Sequence, residues 1–249
     1  MLLKNFLKTI IYSFFRLLPS KDAVILMYHS VADNSSFFTV TPAEFEKQMA
    51  YLKENNFNVV SVSHLVEALE NKKQILPKTI VITIDDGYED NFTNAFPVLK
   101  KYNFPASIFL VTDSVGGERQ TSAGLVFKKL SWQQVQEMSA TGLIDFYPHT
   151  KTHPKLDQVL ENAVTEEIRG SKNTVEERMN KTADIFAYPY GRYTPSVVNI
   201  LKQEGFKAAL TVKTGRVKNG DNPFLLKRNS IDSKVSLTMF KGIVNHGRI

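Results

Sequence analysis

The chain has 249 residues, 43% of them hydrophobic, which suits one large α/β domain or two small ones with a full core. It contains no cysteine, and this excludes thiolate metal sites, disulfides and thiol nucleophiles. The net charge of +6 suits an anionic membrane surface or a phosphate-bearing partner, and no basic block with interleaved aromatics points to nucleic acid.

Residues 1–18 have a helical pattern. Lys4, Asn5, Lys8, Thr9, Tyr12, Ser13 and Arg16 share one face, and Phe6, Leu7, Ile10, Ile11, Phe14 and Phe15 lie on the other. Pro19 and Ser20 stop it. Lys8 and Arg16 interrupt the run a cleaved signal peptide needs, and a membrane span needs about 20 apolar residues. The pattern predicts an amphipathic helix lying on a membrane surface over 1–20, followed by one domain over 21–249. A helix packed on the domain, or an uncleaved export signal or anchor, are the other readings. The protein is expected to be peripheral to a membrane, on its outer (cell-surface or periplasmic) or cytoplasmic side.

Ala23 to Tyr28 is an apolar run that reads as a buried strand, ending at His29-Ser30. His29 by itself reads as a structural histidine. Thr41-Pro42-Ala43-Glu44 opens a helix, with Thr41 as cap and Pro42 in the first turn. A short strand (Phe57 to Val62) and a helix (Ser63 to Asn71) follow. Thr79 to Ile84 is a β-branched strand that ends in Asp85-Asp86-Gly87-Tyr88. Two adjacent carboxylates there are costly to desolvate without a positive partner, so they mark a metal or proton-transfer site.

Asn91 to Tyr102 is expected to be helical, Pro105 to Thr112 a strand, and Ser114 to Lys129 a loop over the rim of the site. Ser131 and Gln134 form a capping box for the next helix. Leu143 to Tyr147 is a strand that runs into His149-Thr150-Lys151-Thr152-His153. Val159 to Met179 is a long helix whose Glu161, Glu166, Glu167 and Lys172 look like a solvated face. Asp184 to Tyr188 is a strand ending in Pro189-Tyr190-Gly191-Arg192, and the last strands are Phe206 to Val212 and Leu226 to Ile231. Seven or eight strands alternating with helices predict a parallel sheet, open or closed into a barrel. His29, Asp85, Asp86, His149 and Tyr190 all follow strands at the end where barrels carry their sites.

His149 and His153 have the i, i+4 spacing, which on a helical turn would set both imidazoles toward one ion. With one aspartate they make a set that suits Zn²⁺ or a related divalent cation, and the second aspartate stays free as a general base.

These residues resemble the motifs of the polysaccharide deacetylase family, also called NodB-homology or carbohydrate esterase family 4. Thr83-Ile84-Asp85-Asp86-Gly87 resembles its first motif, with Ile84 where Phe is usual. His149 to His153 matches its second, and Ala187-Tyr188-Pro189-Tyr190 matches its third in part. The resemblance implies a distorted (β/α) barrel of about seven parallel strands. It implies Asp85 as base, Asp86, His149 and His153 as metal ligands, and the Tyr190 backbone N–H at the oxyanion. The family's third-motif arginine is Ala187 here, so Arg192 or Arg228 is the candidate support for the base. The usual late Leu-x-His has no convincing counterpart, and Asn245-His246, close to the end of the sequence, is expected to be frayed. Tyr28-His29-Ser30-Val31 resembles a motif of the poly-N-acetylglucosamine deacetylase-like subgroup, and on that resemblance His29 becomes the general acid.

The expected activity is metal-dependent removal of an N-acetyl group from an amino sugar, N-acetylglucosamine, in a polysaccharide or lipid-linked glycan. Glycan O-deacetylation and an inactive glycan-binding barrel are the alternatives. Tyr88, Trp132, Tyr147 and Tyr190 are candidate sugar-stacking aromatics.

Overall fold

A computed structural model describes residues 22–120 and 124–247, so the amphipathic segment over 1–18 lies outside the described residues. Eight parallel strands are β1 (Val24–Tyr28), β2 (Asn58–Val60), β3 (Thr79–Asp85), β4 (Ala106–Leu110), β5 (Ile144–Pro148), β6 (Ile185–Ala187), β7 (Ala208–Leu210) and β8 (Asn229–Ser230). Between and after them run α1 (Pro42–Glu54), α2 (Val62–Glu70), α3 (Phe96–Tyr102), α4 (Trp132–Ala140), α5 (Glu161–Met179), α6 (Pro195–Gln203) and α7 (Leu237–His246).

The strand order is β8-β1-β3-β4-β5, with β2 beside the start of β3. β6 pairs with β7, and Leu210 bridges to Leu226, whose segment leads into β8. The strands thus follow the order of a ring, with no strand ladder between β5 and β6 or between β7 and β8 among the described residues. This is the expected (β/α) arrangement with the barrel left open, and the seam between β5 and β6 is spanned by a side chain of the site.

Alternation along the strands sorts the core. Ile25, Val81, Phe109, Tyr147, Ile185, Ala187, Ala208 and Leu210 fill the interior. Leu26, Ile82, Ile84, Ile108 and Ile144 turn outward against Phe45 and Met49 of α1, Leu99 of α3, Met138 of α4 and Phe240 of α7. Phe186 and Ala209 face Ile168 of α5 and Leu201 of α6. The helix starts are capped as the sequence leads one to expect. Glu44 N–H donates to Thr41 Oγ1 at 3.2 Å, and Ser131 and Gln134 exchange both bonds of a capping box.

Four local expectations are corrected. The helix expected from Asn91 begins instead as a π-turn, Asn91–Ala95, before α3. The stretch after Ser114 contains an antiparallel hairpin, Glu118–Gln120 with Val126–Lys128. Residues 149–153 form no helix: Thr150 and His153 have positive φ (69° and 65°), so the loop's own turns bring the imidazoles together. Asn245 and His246 belong to the last turn of α7, a helix anchored by Phe240, Ile243 and Val244.

Candidate metal centre

The strand that ends in two acids places them differently. Asp85 closes β3 and follows its parity into the barrel interior, where it is 2% exposed. Asp86 and Gly87 then turn with φ of 72° and 61°. A left-handed aspartate is costly and tends to persist where function requires it. Gly87 is required by space as well, since a Cβ there would lie 2.6 Å from Leu110 Cδ2. The turn separates the two carboxylates that the sequence makes adjacent.

Asp85 meets Arg228. The guanidinium, fully buried, donates through Nη1 to Oδ1 and through Nη2 to Oδ2, both at 2.7 Å. Its Nε donates to Thr211 O at 2.9 Å, which fixes the fork. Burial alone would push the Asp85 carboxyl up; Arg228 and then His149 outweigh it and hold the carboxyl below its ordinary value. Arg192, the other candidate for this place, pairs instead with Asp157 at the surface (2.7 Å).

Asp86 meets the histidines. Its Oδ1 lies 3.3 Å from His153 Nε2 and 3.7 Å from His149 Nε2, and the two Nε2 atoms are 3.2 Å apart. Oδ1 is buried with no hydrogen-bond partner among the described residues. An orphaned carboxylate oxygen facing two imidazole nitrogens is the donor set of a divalent cation, and these three residues fit one. His149 Nδ1 lies 2.7 Å from Ala187 O, across the seam between β5 and β6. Donation there from Nδ1–H fixes the tautomer and leaves Nε2 for the ion.

Both histidines are shifted toward the neutral form. Burial lowers His149, and burial with His149 beside it lowers His153 to about 4. Burial would raise Asp86, but Lys129, His29 and the two ligand histidines hold it well below the carboxylate range.

Glu167 of α5 braces the histidine loop by accepting from Lys151 N (2.8 Å), Thr152 N (2.9 Å) and Thr152 Oγ1 (2.6 Å). It is thus no part of a merely solvated face. Its signal was absent from the sequence because two of its three partners are backbone N–H groups. His29, half-buried after β1, faces both aspartates closely enough to favour their charged forms. Its main chain is tied down by Asn91 Nδ2 donating to His29 O (2.8 Å), and Asp90 accepts from Ser30 Oγ (2.7 Å) and Val31 N (3.0 Å). Asp90 and Asn91 lie four and five residues after Asp86, where the π-turn begins, and they reach back to the segment after β1. Tyr190 adopts φ 57°, and its half-exposed ring packs on His153 at 4.6 Å between centroids.

Three sugar-stacking candidates are placed elsewhere. Tyr88 is buried and its hydroxyl donates to Asp86 Oδ2 at 3.0 Å. Tyr147 lies two residues below His149 on the interior face, against Phe109 at 5.8 Å. Trp132 packs on the core and under Arg178. Tyr147 has the alternation of a core strand residue, Trp132 opens α4 and Tyr88 follows the Asp86-Gly87 turn, placements that composition alone does not reveal.

A sequence model described as polysaccharide deacetylase matches residues 72–209. The poly-beta-1,6-N-acetyl-D-glucosamine N-deacetylase of Staphylococcus epidermidis is 28% identical over 232 residues, covering 90% of this chain and 78% of that protein. Among solved structures, IcaB from Ammonifex degensii superposes with a TM-score of 0.81 at 26% identity, covering 93% of this chain and 99% of that one. The deacetylase PplD of Streptococcus pyogenes, in complex with acetate, superposes with a TM-score of 0.79 at 26% identity, covering 93% and 100%.

Proposed function

The chain belongs to the polysaccharide deacetylase family, and from that premise we propose that it hydrolyses the N-acetyl groups of a β-1,6-linked N-acetylglucosamine polysaccharide, releasing acetate. The observation that carries the reading is the pairing of two unlike sites at one strand end. Asp85 is ionised and gripped by Arg228, beside an Asp86–His149–His153 set with an orphaned oxygen. The glycan is that of the Staphylococcus epidermidis relative.

A divalent cation, Zn²⁺ by the chemistry of two imidazoles and one carboxylate, would be held by Asp86, His149 and His153, and supplies Lewis acidity toward the amide carbonyl and the attacking water. Asp85 takes the proton from that water as it attacks, and Arg228 keeps the carboxylate charged and aligned. The Tyr190 N–H donates to the developing oxyanion. His29, on the side of β1, gives its proton to the departing amine. The exposed Tyr190 ring offers a face for a sugar. Residues 1–18 hold the enzyme against a membrane surface, on the strength of their amphipathic pattern and the chain's +6 charge.

The test is product analysis on N-acetylated β-1,6-linked oligosaccharides, with and without chelator. Equal amounts of acetate and new primary amine are expected, abolished by chelator and restored by Zn²⁺. Acetate without new amine, released only from an O-acetylated form of the same oligosaccharides, would make the protein an esterase, and insensitivity to chelator would remove the metal. Asp85→Asn should still bind the ion and lose turnover by about 100-fold or more.

A further inference from the structure

The two oxygens of Asp86 have opposite surroundings. Oδ1 faces the imidazoles and accepts nothing among the described residues. Oδ2 is engaged: the Tyr88 hydroxyl donates to it at 3.0 Å. Arg119 Nη1 in turn donates to the Tyr88 oxygen at 3.0 Å and stands 3.5 Å from Oδ2. The Tyr88 ring is held in place by Phe38, stacked at 5.6 Å with 11° between planes. A second cation lies behind: Lys129 Nζ donates to the Asp86 backbone carbonyl at 2.7 Å and sits 3.8 Å from the Tyr88 ring centre. Two positive side chains therefore converge on the aspartate of a cation site, Arg119 on its carboxylate and Lys129 on its backbone carbonyl. The ligand set does not need them, and each repels a cation held by Asp86.

We infer that Arg119 is a positioning residue acting through Tyr88. It ties up Asp86 Oδ2, reserves Oδ1 for the cation, and lowers the cation's affinity so that it stays a stronger Lewis acid. The inference rests on the metal reading above and adds a group that nothing in the family motifs supplies. A carboxylate that shares its charge with a tyrosine hydroxyl and a guanidinium donates less of it to a bound ion. Arg119 is delivered by the hairpin, whose base is stitched to the site by Glu89 N to Lys128 O and Leu130 N to Gly87 O, both at 2.9 Å. The Arg119 side chain is 44% exposed, so its replacement opens no hole in the core.

The test uses the full chain, stripped of metal and titrated with Zn²⁺ against a chromophoric chelator, as wild type, Arg119→Gln, Arg119→Met and Arg119→Lys. Loss of the charge should tighten Zn²⁺ binding about tenfold in both neutral variants, and Arg119→Lys should stay near the wild type. A residue that only orients a ligand gives the opposite sign, a loss of about 10- to 100-fold. Weaker or unchanged binding in the neutral variants would overturn the inference while leaving the metal reading intact. A wild type that takes up no Zn²⁺ would overturn both. Thermal melting of each apo variant separates an affinity change from misfolding, and of the two neutral variants the one that melts like the wild type decides the sign.

Discussion

Arg228 shows how far a single side chain determines what its neighbour can do. It is the largest fully buried side chain in the barrel and is paired on both prongs with Asp85. Removing one partner of such a pair leaves a buried charge and costs about 3–5 kcal/mol. Arg228→Met is therefore expected to lower the melting temperature strongly. Arg228→Lys is more informative, because it keeps the charge and loses the fork. Arg228 holds the Asp85 carboxyl below its ordinary value, so weakening the grip lets the pKa rise. The base must be ionised to work, and the acid limb of the rate–pH profile should move to higher pH. An unshifted limb in Arg228→Lys would remove Arg228 as the group that tunes the base. The sequence offered Arg192 and Arg228 as equals for this place. It could not choose, because the choice depends on β7 and the segment before β8 bringing residue 228 back to the barrel axis while Asp157 captures Arg192.

At the scale of elements, the site is built from strand ends and held by what packs behind them. The central strands β1 and β3 were legible because they are apolar runs rich in Val and Ile, and their C-terminal polar markers were legible because they interrupt those runs. The connections were less so. The i, i+4 histidine spacing suggests a helical turn, yet Thr150 and His153 are left-handed and the loop is shaped by Glu167 of α5. Side chain to backbone bonds of this kind leave no periodic trace in a sequence. The same holds for the π-turn at Asn91–Ala95, which helical spacing cannot distinguish from the start of α3. Glu167 is the element-scale test. Glu167→Gln halves its acceptor capacity toward the loop and should weaken Zn²⁺ binding about tenfold. The melting temperature should move little, since a net hydrogen bond contributes about 1 kcal/mol. Calorimetric titration of the apo variant reads this directly, and unchanged affinity would show that the loop holds its turns without α5.

The whole molecule joins an α/β barrel-like domain to an amphipathic sequence and a net charge of +6. The alternation that fills the interior with Ile25, Val81, Phe109 and Tyr147 also removed Tyr147 from the substrate's reach, so the fold decided between two roles that composition left open. Among the described residues no helix is long and apolar enough to cross a membrane. The proposed hold of residues 1–18 on a bilayer surface rests on their sequence pattern, with Lys4, Lys8 and Arg16 on one face and Phe, Leu and Ile on the other. Such binding combines apolar burial with attraction to anionic lipid, about 1 kcal/mol for each basic residue near the surface. Two variables therefore separate it from a general effect of the +6 net charge. Full-length protein should sediment with vesicles containing phosphatidylserine and keep part of that binding at 0.5 M salt, where screening removes most of the electrostatic share. A chain lacking residues 1–18 should stay in the supernatant while retaining Zn²⁺ affinity and deacetylation of short soluble oligosaccharides. Equal sedimentation of the two chains would assign the attraction to residues 19–249 and refute the helix as the anchor.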